Sequence, residues 1–393
     1  MMKSPKIRFK GFDGDWEQRK LGELLVGVSE KNSDGQYSQD DILACSLGTE
    51  LDKKTIFFGL RSTEESVKSY RKVKIGDVIY TKSPIKGYPN GIVRTCKIAD
   101  GIVPSLYCVY KKRDDISVQI DTRFIQSYLE EKGRLDQYLY PLVNVGARNN
   151  VNITDKEFLE GNILMPPQKE EQTKIVESLE KITNLITLHQ KKFEQLTILK
   201  KYMLQKMFPQ NGSDKPEIRF DGFTDDWEQR KLGDVAQEFK SGNSLKADEI
   251  DITGDYPVYG GNGLRGYTST YNHDGEYALI GRQGALCGNM NYSAGKAYFT
   301  EHAVVVKADE NNDTRFLYYM LDTMNLGQYS DQSAQPGLAV NKLVKLENSF
   351  PKKEEQQQIG AYFRSLDHLI TLHQQKCDEL RNAKKFMLQN MFI

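Results

Sequence analysis

The sequence predicts an α+β protein: two tandem α/β domains with twisted β-sheets, separated by two long antiparallel coiled-coil helices and related by an internal pseudo-twofold repeat. Three observations predict this fold: a duplicated N-terminal element, a duplicated helical element, and two middle regions that share almost no sequence. The length of 393 residues allows two or three domains. We expect domain 1 over 1–165, a first spacer helix over 166–209, domain 2 over 210–350 and a second spacer helix over 351–393.

The duplication is clearest at the ends of each repeat. Residues 5–22 (PKIRFKGFDGDWEQRKLG) and 216–233 (PEIRFDGFTDDWEQRKLG) are identical at 14 of 18 positions. Residues 170–208 and 354–392 are identical at 19 of 39 positions, including LITLHQ. Neutral drift after a recent duplication should have changed the ends as much as the middles. We therefore interpret the ends as a common scaffold and the middles as two related domains that recognise different targets.

The second duplicated element predicts a long helix in each repeat. Glu170 and Glu171 lie in the first turn of the first helix, where acidic residues interact favourably with the helix dipole, and Pro209 follows the end of the helix. The apolar positions step by four and three residues, which predicts a coiled-coil seam, and about 39 residues would make a rod of roughly 55–60 Å. The predicted seam comprises Ile175, Leu179, Ile182, Ile186, His189, Leu196 and Met203 in the first helix and Ile359, Phe363, Leu366, Ile370, His373, Leu380 and Met387 in the second.

Two histidines, His189 and His373, occupy matched positions of this seam. A metal site would need more ligands than the seam offers. We interpret the pair as polar residues that fix the register of the helices.

The first middle region is basic. Its window 53–113 holds 14 Lys/Arg against 4 Asp/Glu, which predicts a phosphate-binding face. An Asn or Arg side chain can make two hydrogen bonds to the edge of one base. For any single residue, the alternative is that it lies in a solvated basic loop. The candidate DNA-binding residues here are Lys82, Ser83, Lys86, Tyr88, Asn90, Arg94, Arg148, Asn149 and Asn150.

The second middle region is not basic. Residues 209–350 hold 13 Lys/Arg and 21 Asp/Glu, so we expect a few placed contacts rather than general affinity for phosphate. Its loops are rich in glycine and aromatic residues, and glycine allows close backbone approach. The candidate DNA-binding residues here are Tyr259, Asn262, Arg265, Tyr267, Arg282, Gln283, Ser333 and Gln335.

Several classes of protein are disfavoured by what the sequence lacks. It has no GxxxxGK[ST] loop, no dinucleotide fingerprint, no HExxH and no nucleophile elbow, which predicts a non-catalytic chain with no bound metal or cofactor. It also has no run of 18 apolar residues and no secretory signal. Five cysteines without a CxxC pair favour a reduced, cytoplasmic protein that does not contact a membrane.

The chain resembles the specificity subunits of type I restriction–modification systems. The resemblance rests on the doubled DWEQRKLG element (Trp16, Trp227), the doubled EEQ–LITLHQ helix (His189, His373) and the loops YGGNGLRGY and GRQGALCGN. It implies two target recognition domains, each binding one half of a bipartite double-stranded DNA site, with the helices setting the gap between the halves. It also implies docking of two methyltransferase subunits and of restriction (translocase) subunits. Those partners would carry S-adenosylmethionine, ATP and Mg.

Two other functions compete with this prediction. A coiled-coil adaptor with two peptide- or protein-binding heads would share the repeat, but it would not need the basic window. A nuclease would need a constellation of acids and lysine, and Asp255, Asp274 and Glu276 do not form one in sequence.

Overall fold

The computed structural model describes residues 4–45, 50–53, 63–82, 88–142, 144–145, 151–210, 213–330 and 337–393. The chain forms two compact units, one of residues 1–188 with 376–393 and the other of residues 189–375. This division differs from the predicted boundaries, because each unit includes a part of both long helices.

The first unit is built on a four-stranded antiparallel sheet in the order β2-β9-β6-β7, with a separate ribbon of β1 and β12. Its strands are β1 (Glu17–Lys20), β2 (Leu25–Gly27), β3 (Leu43–Cys45), β4 (Leu51–Lys53), β5 (Arg71–Val73), β6 (Val78–Tyr80), β7 (Val93–Thr95), β8 (Gly101–Val103), β9 (Cys108–Lys112), β10 (Asn144–Val145), β11 (Val151–Asn152) and β12 (Asn162–Met165). Its helices are α1 (Leu21–Leu24), α2 (Glu64–Val67), α3 (Thr122–Leu129), α4 (Lys132–Leu139), α5 (Asp155–Phe158) and the first part of α6 (Lys169–Lys206).

The second unit has a four-stranded sheet in the order β14-β20-β17-β18, a three-stranded sheet in the order β16-β15-β19, and the ribbon of β13 and β21. Its strands are β13 (Glu228–Lys231), β14 (Ala236–Ser241), β15 (Tyr256–Gly260), β16 (Gly263–Thr268), β17 (Glu276–Gly281), β18 (Met290–Ala294), β19 (Tyr298–Phe299), β20 (Ala303–Ala308) and β21 (Glu347–Phe350). Its helices are α7 (Thr314–Thr323), α8 (Val340–Leu343) and the first part of α9 (Lys353–Asn390). The predicted mixture of helix and sheet and the two long helices are confirmed.

Each unit has the same aromatic cluster at the base of its core. In the first unit, Trp16 packs edge-on against Phe124 at 5.7 Å and against Phe392 at 6.2 Å between ring centroids. In the second unit, Trp227 packs against Phe316 at 5.9 Å and against Phe208 at 6.5 Å. Phe392 follows the end of α9 and Phe208 follows the end of α6, so the C-terminal end of a long helix completes each core. This contact explains why the repeat keeps both DWEQRKLG and the final Met-Phe.

A buried ion pair ties the first residues of each repeat to a long helix. Arg8 Nε lies 2.6 Å from Glu171 Oε1, and Arg219 Nε lies 2.6 Å from Glu355 Oε1. Both glutamate side chains are 1% exposed. Glu171, which the sequence suggested as dipole-stabilising, therefore binds the N-terminal element of its own unit, and Glu355 does the same in the second unit.

A glutamine beside each glutamate joins the same helix to a helix of the domain. Gln172 Oε1 accepts the backbone N–H of Asp121 at 2.9 Å, and Gln356 Oε1 accepts that of Asp313 at 2.9 Å. Both aspartates are N-caps, of α3 and α7, where a side-chain oxygen satisfies a free N–H of the first turn. These aromatic, ion-pair and glutamine contacts therefore recur in both units. We call the duplicated N-terminal element, together with the parts of the long helices that it contacts, the frame of its unit.

The long helices run antiparallel in each unit. In the first unit, Cys377 Sγ contacts the carbonyl oxygen of Ile186 at 3.7 Å. In the second, His189 Nδ1 and His373 Nδ1 are 2.8 Å apart, and Lys200 Nζ lies 2.6 Å from Asp367.

The predicted seam is only partly a contact between the two helices. Some of its residues lie in a domain core, namely Ile175 and Leu179 in the first unit and Ile359, Phe363 and Leu366 in the second. Others are half-buried along the helices, namely Ile182, Ile186, Leu196, Met203, Ile370, Leu380 and Met387. Leu196, Met203 and Met387 also pack against a domain core. The heptad pattern therefore reports domain packing near both ends of the helices and helix pairing between them.

Candidate nucleic-acid interface

Several chain segments meet at one end of the second unit, and we call residues 260–263, 281–289, 300–302 and 337–338 the tip. The backbone N–H of Arg282 donates to the carbonyl oxygen of His302 at 2.9 Å, and the N–H of Leu338 donates to that of Arg282 at 2.9 Å. Gln283 also forms a β-bridge with Gly337. The glycine-rich loops that the sequence singled out are therefore neighbours in space.

Glycine is required where these segments touch. A Cβ on Gly281 would lie 2.4 Å from the carbonyl oxygen of Gly261, and one on Gly288 would lie 2.2 Å from the backbone nitrogen of Gly327. Gly288 also has a φ of +88°, which side chains other than glycine rarely adopt. The backbone of the tip is consequently close-packed and its shape is fixed.

The Arg282 side chain contacts backbone carbonyl oxygens of the tip, whereas the side chains of Gln283 and His302 lie at its surface. The Arg282 guanidinium lies 3.4 Å from the carbonyl oxygen of Leu338 and 3.5 Å from that of Glu301. Gln283 is exposed, and its Oε1 lies 2.9 Å from Nδ1 of His302.

Buried polar atoms without a partner surround the hairpin turn of the tip. Among the described residues, Asn291 Nδ2, Thr300 Oγ1 and Glu301 Oε2 are buried and make no hydrogen bond. A Cβ on Gly260 would lie 3.3 Å from Thr300 Oγ1, and one on Gly263 would lie 2.7 Å from Asn291 Oδ1. Because buried polar atoms in proteins nearly always have a partner, this cluster is typical of a site that receives a polar ligand or water.

The other candidates of the second domain are divided between surface and core. Asn262 and Arg265 are exposed in or beside the hairpin turn. Tyr259 is half-buried and packs edge-on against Phe299 at 6.1 Å, and Tyr267 is half-buried in β16. The predicted residues Ser333 and Gln335 lie outside the described residues.

In the first domain, the described candidates are engaged in structural contacts. Lys82 Nζ lies 3.6 Å from Asp155, and Tyr88 packs against a buried cluster of the domain. Asn90 Nδ2 donates to Asp136 at 2.7 Å. The predicted residues Ser83, Lys86, Arg148, Asn149 and Asn150 lie outside the described residues.

Arg94 corrects one prediction. Its residue is 3% exposed in β7, and its guanidinium donates to the carbonyl oxygen of Val93 at 2.8 Å. A side chain held inside the sheet does not reach a base edge, so Arg94 is a structural cation rather than a surface contact.

The basic window is largely neutralised by acids that lie outside it in sequence. Carboxylates pair with its residues as follows: Asp41 with Lys53, Asp155 with Arg71 and Lys82, Glu30 and Asp34 with Lys72, Glu50 and Glu180 with Lys97, Asp114 with Lys111, and Asp115 with Arg113. Lys74 and Lys112 make no ion pair among the described residues, and both line a groove of about 1170 Å³. The positive surface available to a phosphate is therefore smaller than the sequence count predicts.

Sequence patterns did not single out three polar residues of these surfaces, namely Asp77, Asp155 and His302. Burial raises the pKa of Asp77, in the groove, to about 6. Burial alone would raise the pKa of Asp155, but hydrogen bonds from Cys108 and Arg71 bring it below its usual value. The available signal was the capping box Thr154-Asp155-Lys156-Glu157, which points to Asp155.

Two absences concern only the described part of the chain. There, no helix is both long and apolar enough to span a bilayer. In the same residues, no three His, Cys, Asp or Glu side chains are grouped so as to hold a metal ion.

Comparison with known proteins relates part of the chain to one family. Residues 224–382 match the family model described as the type I restriction modification DNA specificity domain. The specificity subunit of the type I restriction enzyme EcoprrI from Escherichia coli is 44% identical over 144 residues, which is 36% of this chain and 36% of that protein. The chain is therefore similar to the type I restriction–modification specificity subunits, most directly over residues 224–382. Its match therefore spans about a third of that relative's length.

Two further comparisons cover more of this chain. The type I restriction enzyme MjaVIII specificity subunit of Methanocaldococcus jannaschii is 25% identical over 299 residues, covering 65% of this chain and 70% of that one. The crystal structure of a type I restriction-modification S subunit from M. genitalium has a TM-score of 0.68 at 17% identity and covers 99% of both chains. At that identity, the second comparison supports the fold alone.

Proposed function

We propose that this chain is a type I restriction–modification specificity subunit that binds double-stranded DNA, and that each recognition domain reads one half of a bipartite site. The observation that carries the proposal is a contrast within the chain: the two frames share the same aromatic, ion-pair and glutamine contacts, whereas the domains they carry differ in charge and in loops. A duplicated frame that carries two divergent domains is expected of a protein that recognises two different DNA sequences in the same way. The chain itself would be non-catalytic and would act in the cytoplasm, where its DNA target lies.

The frame also supports docking of two copies of one partner. Exposed apolar residues occur at equivalent positions of the repeat in each unit, namely Leu185, Leu188 and Phe386 in the first and Leu369, Leu372 and Tyr202 in the second. Apolar side chains grouped on a helix surface are typical of protein interfaces. The partners proposed here are two methyltransferase subunits, joined by restriction subunits, with S-adenosylmethionine, ATP and Mg on those chains.

We further assign the spacing of the half-sites to the long helices. The helices α6 and α9 have 38 residues each, and a helix of that size is about 57 Å long. DNA half-sites one turn apart are separated by roughly 34 Å, which is within that length. Insertion of a heptad into both helices should change the spacer and leave both half-site sequences intact.

A domain swap tests the recognition proposal. Residues 23–165 are replaced by the equivalent segment of a family member with a different target, and methylated sites are sequenced in cells that also express the methyltransferase subunits. We expect one half-site to change and the other to stay. The matched chimaera, with residues 234–350 replaced, should change the other half-site. Changes in both halves from a single swap would contradict the modular reading.

Charged substitutions test the docking surface. Leu185→Asp and Leu369→Asp should each remove one methyltransferase subunit, and native mass spectrometry should show a complex with one copy instead of two. Leu106→Asp is the control, because Leu106 is an exposed leucine of the first unit away from the helices. Retention of both copies by the two helix variants would refute this surface.

A further inference from the structure

The contact between Gln283 and His302 determines what the tip offers to a ligand. Their atoms Oε1 and Nδ1 are 2.9 Å apart, and the His302 side chain is 44% exposed. A neutral imidazole has one donor and one acceptor nitrogen, and an amide has one oxygen acceptor and an NH₂ donor.

Either orientation of the amide leaves the same outward pattern. If the Gln283 oxygen accepts from Nδ1–H, then the amide NH₂ remains as a donor and His302 Nε2 as an acceptor. If the amide is turned over, its nitrogen donates to Nδ1, and the oxygen and Nε2–H remain. Glu301 Oε1 lies 3.5 Å from His302 Nε2, which favours the second case, in which Nε2–H is the donor and the Gln283 oxygen is the acceptor.

Adenine is the single base whose major-groove edge offers both an acceptor, N7, and a donor, N6. Guanine offers two acceptors, cytosine a donor, and thymine an acceptor beside a methyl group. The geometry points to Gln283 and His302 as the pair that reads an adenine in the half-site of the second recognition domain. This inference rests on the proposed function and adds the residues and the base.

Backbone hydrogen bonds restrain the segment that carries Gln283. Gly281 N–H donates to the carbonyl oxygen of Asn289 at 2.7 Å, and Gly288 N–H donates to that of Gly281 at 2.7 Å. With the Arg282 contacts described above, these bonds fix the chain that carries Gln283. Preorganised groups lose little conformational entropy on binding, which favours selective contacts.

The residues that precede His302 add an independent indication. Thr300 Oγ1 and Glu301 Oε2 are buried without a partner among the described residues, directly before the proposed reader. Polar groups left unpaired beside an exposed donor–acceptor pair are expected at a surface that a polar ligand completes.

Base analogues test the inference on the complete complex. Wild-type subunit, assembled with its methyltransferase subunits, is titrated with duplexes in which 7-deazaadenine replaces each adenine of the second half-site in turn. Loss of N7 at the adenine that is read should weaken binding by about 5- to 150-fold, the range expected for one base contact. In Gln283→Ala and His302→Ala complexes that penalty should disappear at the same adenine. Gln237→Ala, which removes an exposed amide from β14 outside the tip, should keep it.

The outcomes separate this inference from the proposal on which it rests. A complex that binds its bipartite site but shows no 7-deazaadenine penalty in that half-site overturns the inference, and this result needs no variant. An unchanged penalty in both alanine variants overturns it as well. A wild-type complex without any bipartite preference would instead refute the proposed function.

Discussion

In the first unit Trp16 lies between Phe124 and Phe392, and in the second Trp227 lies between Phe316 and Phe208, with the same edge-on geometry. The domains above these clusters have little in common. The first carries lysines and arginines locked into ion pairs, and the second carries a close-packed glycine tip with few charges. The comparison shows that the sequence kept in both repeats is the part that closes each core.

The closure also explains why both ends of the repeat are retained together. Backbone contacts accompany the aromatic ones: Ile7 N–H donates to the carbonyl oxygen of Asn390 at 2.9 Å, and Ile218 N–H donates to that of Lys206 at 2.9 Å. A change at the start of one repeat therefore has to fit the end of a long helix, whereas the loops of the domains face no such constraint.

Removal of the central tryptophan should have the largest effect. Trp16→Ala and Trp227→Ala each leave a cavity in a buried cluster, and we expect each to lower the free energy of unfolding by about 3–5 kcal/mol. Chemical denaturation combined with hydrogen exchange should locate the loss in the substituted unit. Equal losses would support the matched frames, and a loss in one unit only would show that the two clusters are not equivalent.

The buried ion pairs come next. Arg8→Ala leaves Glu171 as a buried unpaired carboxylate, and Arg219→Ala does the same to Glu355, so each should cost about 3 kcal/mol. Arg19→Ala is the control, because the Arg19 side chain is 35% exposed and its partners Glu17 and Glu23 are exposed, and such pairs contribute less than about 1 kcal/mol. A small effect of both buried-pair variants would mean that water reaches the carboxylates.

Periodicity and repetition were sufficient to predict the frame. The helical stripe and the doubled ends follow from local patterns, and the long helices and the mixed fold are found as predicted. The pairing of Trp16 with Phe392 was not predictable, because residues at opposite ends of the chain meet only after both repeats have folded.

The candidate site was predictable in position but not in detail. Glycine-rich loops indicated the tip, since close backbone approach needs glycine. The charge count failed for the first domain because its window left out Glu30, Asp34, Asp155 and Glu180, which pair with the lysines and arginines inside it. His302 was missed because a single histidine just before a strand has no sequence signature of its own.

The groove of the first unit should make that unit sensitive to pH. Burial raises the pKa of Asp77 from 3.8 in the unfolded chain to about 6 in the folded one. The folded state therefore holds the proton more tightly, and stability should fall as pH rises from about 4 to about 6, by at most about 3 kcal/mol.

Asp77→Asn tests this dependence. The variant should be more stable than wild type at pH 7 and should lose the decline over that window, because the amide oxygen can still accept the backbone N–H of Lys74. Asp114→Asn, an exposed carboxylate in the same groove, should leave the pH profile unchanged. Equal profiles for wild type and Asp77→Asn would show that Asp77 is solvated.

The smallest expected effect concerns the histidine pair of the second unit. His189→Leu or His373→Leu alone leaves a half-buried ring nitrogen without its partner, which should cost about 1 kcal/mol. The double leucine variant removes both polar groups and should regain that loss, because an apolar seam is more stable than a polar one. A double-mutant cycle in urea measures the coupling, and a value near zero would show that the 2.8 Å contact contributes nothing to stability. If the pair instead specifies the register of the two helices, the double leucine variant should remain stable but allow a shifted register. Cysteines introduced into the two helices at positions offset by one heptad should then cross-link in that variant.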